Sequence, residues 1–284
     1  KPQVEAAGLR FPILNVYGTR GSGKTTLLET LQRLLGYDVP KTYDCTTTRF
    51  VMLSLLGSTN AVPVSFSEYR QAVAERVIRF VLLAYDTGHD PRGRPDQTTV
   101  DYPLTAPFTV DGEDVINDAA CKERIIALNM APETIAEGTP AYQAFAKVRN
   151  LALESFALPF YQYILTPGRV QEAIVSGRRA VADAFSEPLP DRIRNNMAVT
   201  MAGVYTFCGF AGITAPSARE VFGSVLGNVW NEKMGRTTML VDEFCEGLVN
   251  VVAAGKADFY YSVDGQDTVW FQLAPAFAWW SRAR

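Results

Sequence analysis

The segment GTRGSGKTT, residues 18–26, decides the fold that we predict for this chain. It matches the pattern G-x-x-x-x-G-K-[ST], whose backbone N–H groups and following helix surround the phosphates of a nucleoside triphosphate. An apolar, β-branched run over 11–18 predicts the buried strand that must precede such a loop, and leucines at helical spacing over 24–36 predict the helix that must follow it. Because both neighbours are present, we favour a nucleotide site over a glycine-rich turn that binds nothing.

The residue types inside this loop have separate expected roles. The Lys24 ammonium would face the β- and γ-phosphate oxygens, and the Thr25 hydroxyl would be offered to Mg²⁺. The expected nucleotide-binding residues are Gly18, Thr19, Arg20, Gly21, Ser22, Gly23, Lys24, Thr25 and Thr26. Kinases, GTPases and motor ATPases share this loop, so the motif predicts a triphosphate such as ATP with Mg²⁺ and leaves the reaction open.

Strands and helices alternate through the first half of the chain. Apolar patterns predict further strands over 61–69, 101–113 and 123–130, and helices over 48–58 and 68–88. Such alternation predicts an α/β fold in which a mainly parallel sheet is covered by helices on both faces. Ligands of these sheets bind at the carboxyl ends of the strands, which is where the phosphate loop lies.

The strand sequence VPVSFSEY, residues 62–69, supplies the candidate catalytic carboxylate. In ATPases whose sheet has an additional strand, the corresponding strand usually closes on Asp-Glu, and here it closes on Ser67-Glu68. We expect Glu68 to be the base that activates the attacking water, and the Ser67 hydroxyl to order a Mg²⁺-bound water without adding charge. The alternative is that Glu68 is an ordinary carboxylate at the start of a helix.

Two more polar side chains follow predicted strand positions. Asp111, or else Glu113, ends the strand next along the chain and would sense the γ-phosphate. Arg124 stands just before IIAL, residues 125–128, the apolar part of the last predicted strand. An arginine there can reach a neighbouring subunit's nucleotide as an arginine finger and stabilise transition-state charge. The alternative for Arg124 is a surface arginine paired with Glu123 or Glu133.

The segment HDPRGRPDQTTV, residues 89–100, predicts a turn-rich loop or hairpin because Pro and Gly interrupt it. Arg92 and Arg94 flank its glycine and are candidates for contact with nucleic-acid phosphates. An equally good interpretation is a solvated loop in which these arginines pair with Asp90 and Asp96.

Taken together, these motifs resemble a known group of proteins. Residues 10–130 are similar to the ATPase domain of primase-associated, replicative helicase-like proteins of phages, plasmids and archaea, which are related to superfamily 3 and AAA+ motors. The resemblance implies a ring, usually a hexamer, that hydrolyses ATP between subunits and moves along single-stranded DNA. It implies that Lys24 and Thr25 act in the phosphate loop, that Glu68 is the catalytic base and that Arg124 is an arginine finger. Relatives typically have the sequence LDEY where this chain has FSEY.

The second half carries no catalytic motif. Helical periodicity over 132–235 predicts a mostly helical region after an ATPase core at 1–131. Residues 236–284 predict a helix and then a hairpin through DGQD, which resembles part of a winged-helix module.

The composition excludes several classes of protein. The 284 residues are 48% hydrophobic with a formal charge of -3, so any nucleic acid would have to bind in a local groove or loop. No apolar run approaches the roughly 18 residues of a membrane-spanning helix. The four cysteines are far apart, which predicts reduced thiols and a cytoplasmic location.

The leading hypothesis is an ATP-driven, helicase-like motor of DNA replication, with single-stranded DNA, other copies of the chain and a primase or polymerase as partners. A nucleotide-driven switch or assembly ATPase acting on protein partners is the second hypothesis, favoured by the acidic balance and by Ser67. A small-molecule kinase, with Arg92 and Arg94 in a lid, is the third.

Overall fold

The structure, a computed structural model, describes residues 1–93, 98–130, 138–185, 189–223, 244, 248, 251, 261–263, 269–272, 274–276 and 278–279. The chain divides into two compact units, Lys1–Gly223 and Ser224–Arg284. The helices described up to residue 223 belong to the same unit as the sheet, and the predicted bounds 1–131, 132–235 and 236–284 stay predictions.

Nine strands lie in the described residues. They are β1 (Ile13–Tyr17), β2 (Thr42–Asp44), β3 (Val64–Tyr69), β4 (His89–Gly93), β5 (Thr99–Pro103), β6 (Phe108–Gly112), β7 (Ile125–Asn129), β8 (Tyr261–Val263) and β9 (Val269–Phe271). Nine α-helices accompany them: α1 (Pro2–Ala6), α2 (Lys24–Leu34), α3 (Arg49–Leu56), α4 (Ala74–Tyr85), α5 (Ala119–Lys122), α6 (Pro140–Arg149), α7 (Ala157–Ile164), α8 (Arg169–Ala184) and α9 (Asp191–Ala211). Two 3-10 turns are Gln71–Val73 and Leu153–Phe156.

The central sheet has five strands in the order β2-β3-β6-β1-β7, and every neighbouring pair is parallel. Strand β6 lies between β1, which leads into the phosphate loop, and β3, which carries FSEY. This inserted strand confirms the predicted α/β fold with an additional strand. All five carboxyl ends meet at one edge, so the ends of β1, β6 and β3 lie side by side there.

Two strand predictions differ from the structure. The single strand expected over 101–113 is wrong, because Pro103 ends β5 and β6 begins only after Pro107. Proline lacks the N–H that a continuous ladder would need at both places. Strand β2 was not expected, since its three residues, TYD, contain no apolar alternation.

Apolar side chains on both faces of the sheet hold the helices in place. Val16, Phe66 and Val110 are fully buried on the three central strands. Val77 and Phe80 of α4 belong to the same core cluster as Phe66 and Val110. The buried amide of Asn15 on β1 donates to the Val110 carbonyl at 3.2 Å and accepts from the Ile116 N–H at 2.9 Å. Asn15 thereby fixes β6 and the segment after it against β1.

The helical region packs on the sheet domain through polar anchors at the end of α2. The Arg33 guanidinium donates to the carbonyls of Arg149 and Leu151, both at 3.2 Å, and forms an ion pair with Glu154. Helices α8 and α9 pack so closely at Gly177 that a Cβ there would lie only 2.4 Å from the Ala198 carbonyl oxygen. In the described part of the chain, no helix is long and apolar enough to cross a membrane.

The second unit is described only in part. Strands β8 and β9 pair antiparallel, as the predicted hairpin requires. Leu248, Val251 and Ala276 form a small apolar cluster against which Trp279 packs. Most of residues 236–284, and with them the expected winged-helix module, lie outside the described residues.

A buried carboxylate attaches the β4–β5 hairpin to the sheet domain. Strands β4 and β5 pair antiparallel from His89–Pro103 to Gly93–Thr99, as the predicted hairpin requires. Asp90 of β4 is 1% exposed and forms ion pairs with Arg49 of α3 and Arg79 of α4. One hairpin residue is thus held by two helices.

We expect Asp90→Ala to lower the free energy of unfolding by about 2–3 kcal/mol, because two arginines lose a charge-assisted partner. Asp101→Ala is the matched control on the same hairpin. Asp101 pairs with His89, and both side chains are more than half exposed, so its loss should cost less than about 1 kcal/mol. Urea unfolding followed by circular dichroism measures both, and equal effects would contradict the anchoring role.

Candidate nucleotide-binding site

The phosphate loop joins β1 to α2 at the carboxyl edge of the sheet. The Lys24 ammonium donates to the carbonyls of Gly18 at 2.7 Å and Thr19 at 2.9 Å, which places its charge over the loop. A Cβ at Gly18 would lie 2.3 Å from the Met130 carbonyl oxygen, so this position requires glycine. Helix α2 begins at Lys24, so the first N–H groups of an 11-residue helix face the loop.

Asp111 on β6 is the carboxylate that the sheet places beside this loop. It pairs in register with Val16 of β1, two residues before Gly18. One of its oxygens, Oδ2, accepts a long hydrogen bond of 3.5 Å from the Thr25 hydroxyl. The side chain is 3% exposed, and its other oxygen, Oδ1, is buried with no hydrogen-bond partner among the described residues.

The pKa of Asp111 reflects this burial. Loss of solvent raises the pKa from its ordinary 3.8 to about 6, the positive charge of Lys24 opposes the rise, and the negative charge of Glu68 adds to it. Lys24, Glu68 and Asp111 therefore interact electrostatically at one edge of the sheet. A group with a raised pKa in a cleft is typical of functional sites.

Glu68 lies on a bulge at the end of β3. The register between β3 and β6 shifts between Phe66 and Tyr69, so Ser67 and Glu68 together face the single residue Asp111. The Glu68 backbone is left-handed, with φ of 59°, which costs an amino acid other than glycine about 1 kcal/mol or more. Such bulges often re-aim a side chain next to an active site.

The Glu68 side chain itself is accessible. It is 62% exposed and forms an ion pair of 3.3 Å with Arg70, a residue that the sequence analysis did not single out. Ser67 remains paired with β2, since its carbonyl accepts the Cys45 N–H at 2.9 Å.

The site can accept a magnesium ion held jointly with phosphate. Thr25 and Asp111 offer a hydroxyl and a carboxylate, the hard oxygen ligands that Mg²⁺ prefers. Their 3.5 Å separation is close to the roughly 3 Å between adjacent ligands of an octahedral Mg²⁺. The buried, unpartnered Oδ1 of Asp111 is an available acceptor. Across the described residues, no cluster of three or more His, Cys, Asp or Glu side chains forms a metal cage.

A cavity next to the phosphate loop is large enough for part of a ligand. Its volume is about 310 Å³, at the lower end of the range for ligand pockets. The lining residues come from the loop, from the start of α2, from the residue after β7 and from α6: Gly21, Ser22, Gly23, Thr26, Leu27, Met130, Tyr142, Phe145, Ala146 and Arg149. The sequence analysis missed the α6 residues, because nothing in their helical pattern distinguishes a cavity wall from a core face.

The Arg124 side chain lies against the end of α4 and against α5. It is 11% exposed and forms an ion pair with Asp86 at 3.0 Å. The Nη1 atom of Arg124 donates to the Ala120 carbonyl at 2.6 Å, and the guanidinium lies 5.6 Å from the centre of the Tyr85 ring. Glu123, one of the two partners that the alternative interpretation gave Arg124, forms an ion pair of 3.5 Å with Arg192. The finger role stays a prediction, and it would require these contacts to break.

The remaining predicted residues have differing surroundings. Glu113 is exposed one residue beyond β6. Arg92 lies on β4, while Arg94 and Glu133 are outside the described residues. Arg20 is exposed in the phosphate loop, and Ser22 is buried there.

Comparison with known proteins supports the fold. No protein-family model and no curated protein matches the sequence. The solved structure of an SCCmec type IV Cch active helicase is similar, with a TM-score of 0.54 and 14% identity over 93% of this chain and 50% of that one. The chain therefore spans about half the length of that helicase, and the likeness is one of fold.

Two further structures match less well. A JCV helicase matches with a TM-score of 0.35 and 12% identity, over 74% of this chain and 59% of that one. The C-terminal region of NrS-1 matches with a TM-score of 0.28 and 11% identity, over 80% and 64% of the two chains. Scores this low carry no argument about the site.

The raised pKa of Asp111 predicts a pH-dependent stability of the ligand-free protein. Because the folded pKa of about 6 exceeds the ordinary 3.8, the native state binds the proton more tightly, and stability falls as pH rises through that window. We expect Asp111→Asn to raise the free energy of unfolding by about 2 kcal/mol near pH 7.5, and to change it little near pH 4.

Urea unfolding in EDTA, at both pH values, measures this difference between variant and wild type. Glu113→Gln, an exposed carboxylate two residues away, is the control and should change neither value by more than about 0.5 kcal/mol. An Asp111→Asn protein that is less stable than wild type near pH 7.5 would show that the carboxylate is well compensated.

Proposed function

We propose that this chain is an ATP-hydrolysing motor of DNA replication that moves along single-stranded DNA as a ring of identical subunits. The arrangement at the carboxyl edge of the sheet carries the proposal: a phosphate loop on β1, a buried carboxylate on β6 and a bulged glutamate on β3. The similarity to the fold of the Cch helicase supports it. The nucleotide and Mg²⁺ are inferred from the same residues.

Each residue would have a definite task in hydrolysis. Lys24 and the N–H groups at the start of α2 would bind the β- and γ-phosphates, and Thr25 would hold Mg²⁺, which neutralises phosphate charge when bound. Glu68, exposed at the end of β3, would accept a proton from the water that attacks the γ-phosphate. Arg70 would hold the Glu68 carboxylate in place until water and nucleotide are present.

The cavity lined by α6 would take the nucleoside. Tyr142 and Phe145 line this cavity together with the loop glycines and are half-buried. An aromatic wall suits a purine base, because stacking contributes about 1–3 kcal/mol per base.

The β4–β5 hairpin would contact DNA. Close to its base, Arg49, Arg76 and Arg79 line a second cavity of about 400 Å³. With Arg92 on β4 and Arg94 beyond it, these side chains would supply the local positive charge that the acidic chain as a whole lacks. The ring, and a primase or polymerase as partner, are proposed from the resemblance of residues 10–130.

We expect ATP hydrolysis that single-stranded DNA stimulates, and a mass in solution that rises to an oligomer when a non-hydrolysable ATP analogue is added. Phosphate release and multi-angle light scattering measure these. A monomer with nucleotide whose hydrolysis ignores DNA would contradict the proposal. Stimulation by a protein partner and not by DNA would instead select the switch or assembly ATPase.

Two variants test the assignment of residues. Lys24→Ala should abolish nucleotide binding and hydrolysis, while Glu68→Gln should keep binding and lower the hydrolysis rate by about 10²- to 10⁴-fold. Glu29→Gln on the exposed face of α2 is the control and should behave as wild type. Normal turnover by Glu68→Gln would show that another group is the base.

The nucleoside cavity makes a separate prediction. We expect Phe145→Ala to weaken binding of a fluorescent ATP analogue about tenfold, because one aromatic wall is lost. Val148→Ala on the same helix is the control, since Val148 does not line the cavity. Equal affinities of the two variants, measured by fluorescence anisotropy, would place the base elsewhere.

A further inference from the structure

The strand that usually supplies a carboxylate to Mg²⁺ carries Ser67 in this chain. A serine hydroxyl has no charge, whereas Mg²⁺ at a phosphate site is normally bound through one or two carboxylates. If Ser67 acted alone, the metal would gain no protein charge. The question is therefore which carboxylate at this edge of the sheet supplies it.

Asp111 meets the requirement and Glu68 does not. The Asp111 carboxylate is 3% exposed, one oxygen lies 3.5 Å from the Thr25 hydroxyl, and the other oxygen is buried without a partner among the described residues. Glu68 is mostly exposed on the bulge and is paired with Arg70. A buried carboxylate with an unused acceptor is costly unless a cation compensates it.

The order of the strands also favours Asp111. Strand β6 is the direct neighbour of β1, so Asp111 lies one strand spacing, about 4.8 Å, from the strand that leads into the phosphate loop. Strand β3, with Ser67, is one spacing further away. The bulge adds a residue to β3 opposite Asp111 and leaves β6 regular at that point.

The negative charge of Asp111 is inconsistent with its expected role as a sensor of the γ-phosphate. A carboxylate facing a triphosphate directly would be repelled by it, since like charges at close range raise each other's energy. A cation between the two removes that conflict. The buried position of Asp111 therefore suits a metal ligand. It does not suit a group that detects the γ-phosphate anion directly.

We infer that Asp111, rather than Ser67, is the metal-side carboxylate of this site and binds Mg²⁺ together with Thr25, directly or through one water. The inference rests on the proposed binding of ATP. It moves the acidic metal ligand from β3 to the inserted strand β6 and leaves Glu68 alone on β3 as the base. The loss of an aspartate at position 67 is then compensated within the sheet.

The test compares metal binding in three variants, by readouts that do not depend on turnover. Electron paramagnetic resonance of Mn²⁺ measures ion binding in the presence of AMPPNP. Anisotropy of a fluorescent AMPPNP measures nucleotide affinity in MgCl₂ and in EDTA. We expect Asp111→Asn to weaken Mn²⁺ binding about 10- to 100-fold and to lose most of the Mg²⁺-dependent gain in nucleotide affinity.

Ser67→Ala and Glu113→Gln should keep both values within about twofold of wild type. Circular dichroism and a thermal midpoint in EDTA at or above that of wild type would show that Asp111→Asn is folded. Affinity for the analogue in EDTA should be unchanged in Ser67→Ala and Glu113→Gln, and equal to or higher than that of wild type in Asp111→Asn, because a carboxylate that repels the phosphates is removed.

Wild-type metal binding by Asp111→Asn would overturn the inference, whether or not Ser67→Ala loses it. So would an Asp111→Asn protein that loses hydrolysis and keeps both metal readouts, because Asp111 would then act on a proton. A wild-type chain that binds no nucleotide in either buffer would instead overturn the proposed function.

Discussion

The position of β6 between β1 and β3 is the constraint on which the site depends. In a parallel sheet neighbouring strands are about 4.8 Å apart, so a strand inserted between two others decides which side chains face each other across the edge. Here the insertion brings Asp111 next to Thr25 and puts the β3 bulge beside it. The buried amide of Asn15 fixes this neighbourhood by bonding to both β6 and the segment after it.

The site contains groups that a purely structural edge would avoid. Asp111 is buried with an unused oxygen, and Glu68 has a left-handed backbone. Each is unfavourable by an amount of order 1 kcal/mol or more. The protein can accommodate this cost, because burial of apolar side chains such as Val16, Phe66 and Val110 stabilises the fold by far more than these two groups destabilise it. Locally unfavourable groups of this kind are expected at a site where a bound ligand supplies the missing interactions.

Much of the fold was predictable because its signals are local. The phosphate loop, its strand and helix, and the FSEY strand each have a pattern within about ten residues. The rest depends on contacts between distant segments. Strand β2 is too short to have a recognisable pattern. The bulge at Glu68 is defined only by its register against the partner strand β6, and part of the wall of the nucleoside cavity comes from the distant helix α6. Arg124 shows the same limit, since its partner Asp86 lies 38 residues away.

The anchoring of Asp90 gives the hairpin a mechanical connection to the site. Arg79, one of its two partners, lies on α4, and α4 follows the strand that carries Glu68 after a single 3-10 turn. A helix of 12 residues is about 18 Å long and stiff on that scale. Displacement of the hairpin would therefore pull on the strand end itself. A polymer pressing on the hairpin would act on α4 at Arg79, about halfway along the helix, while a phosphate held at the edge would act on the strand that precedes the same helix.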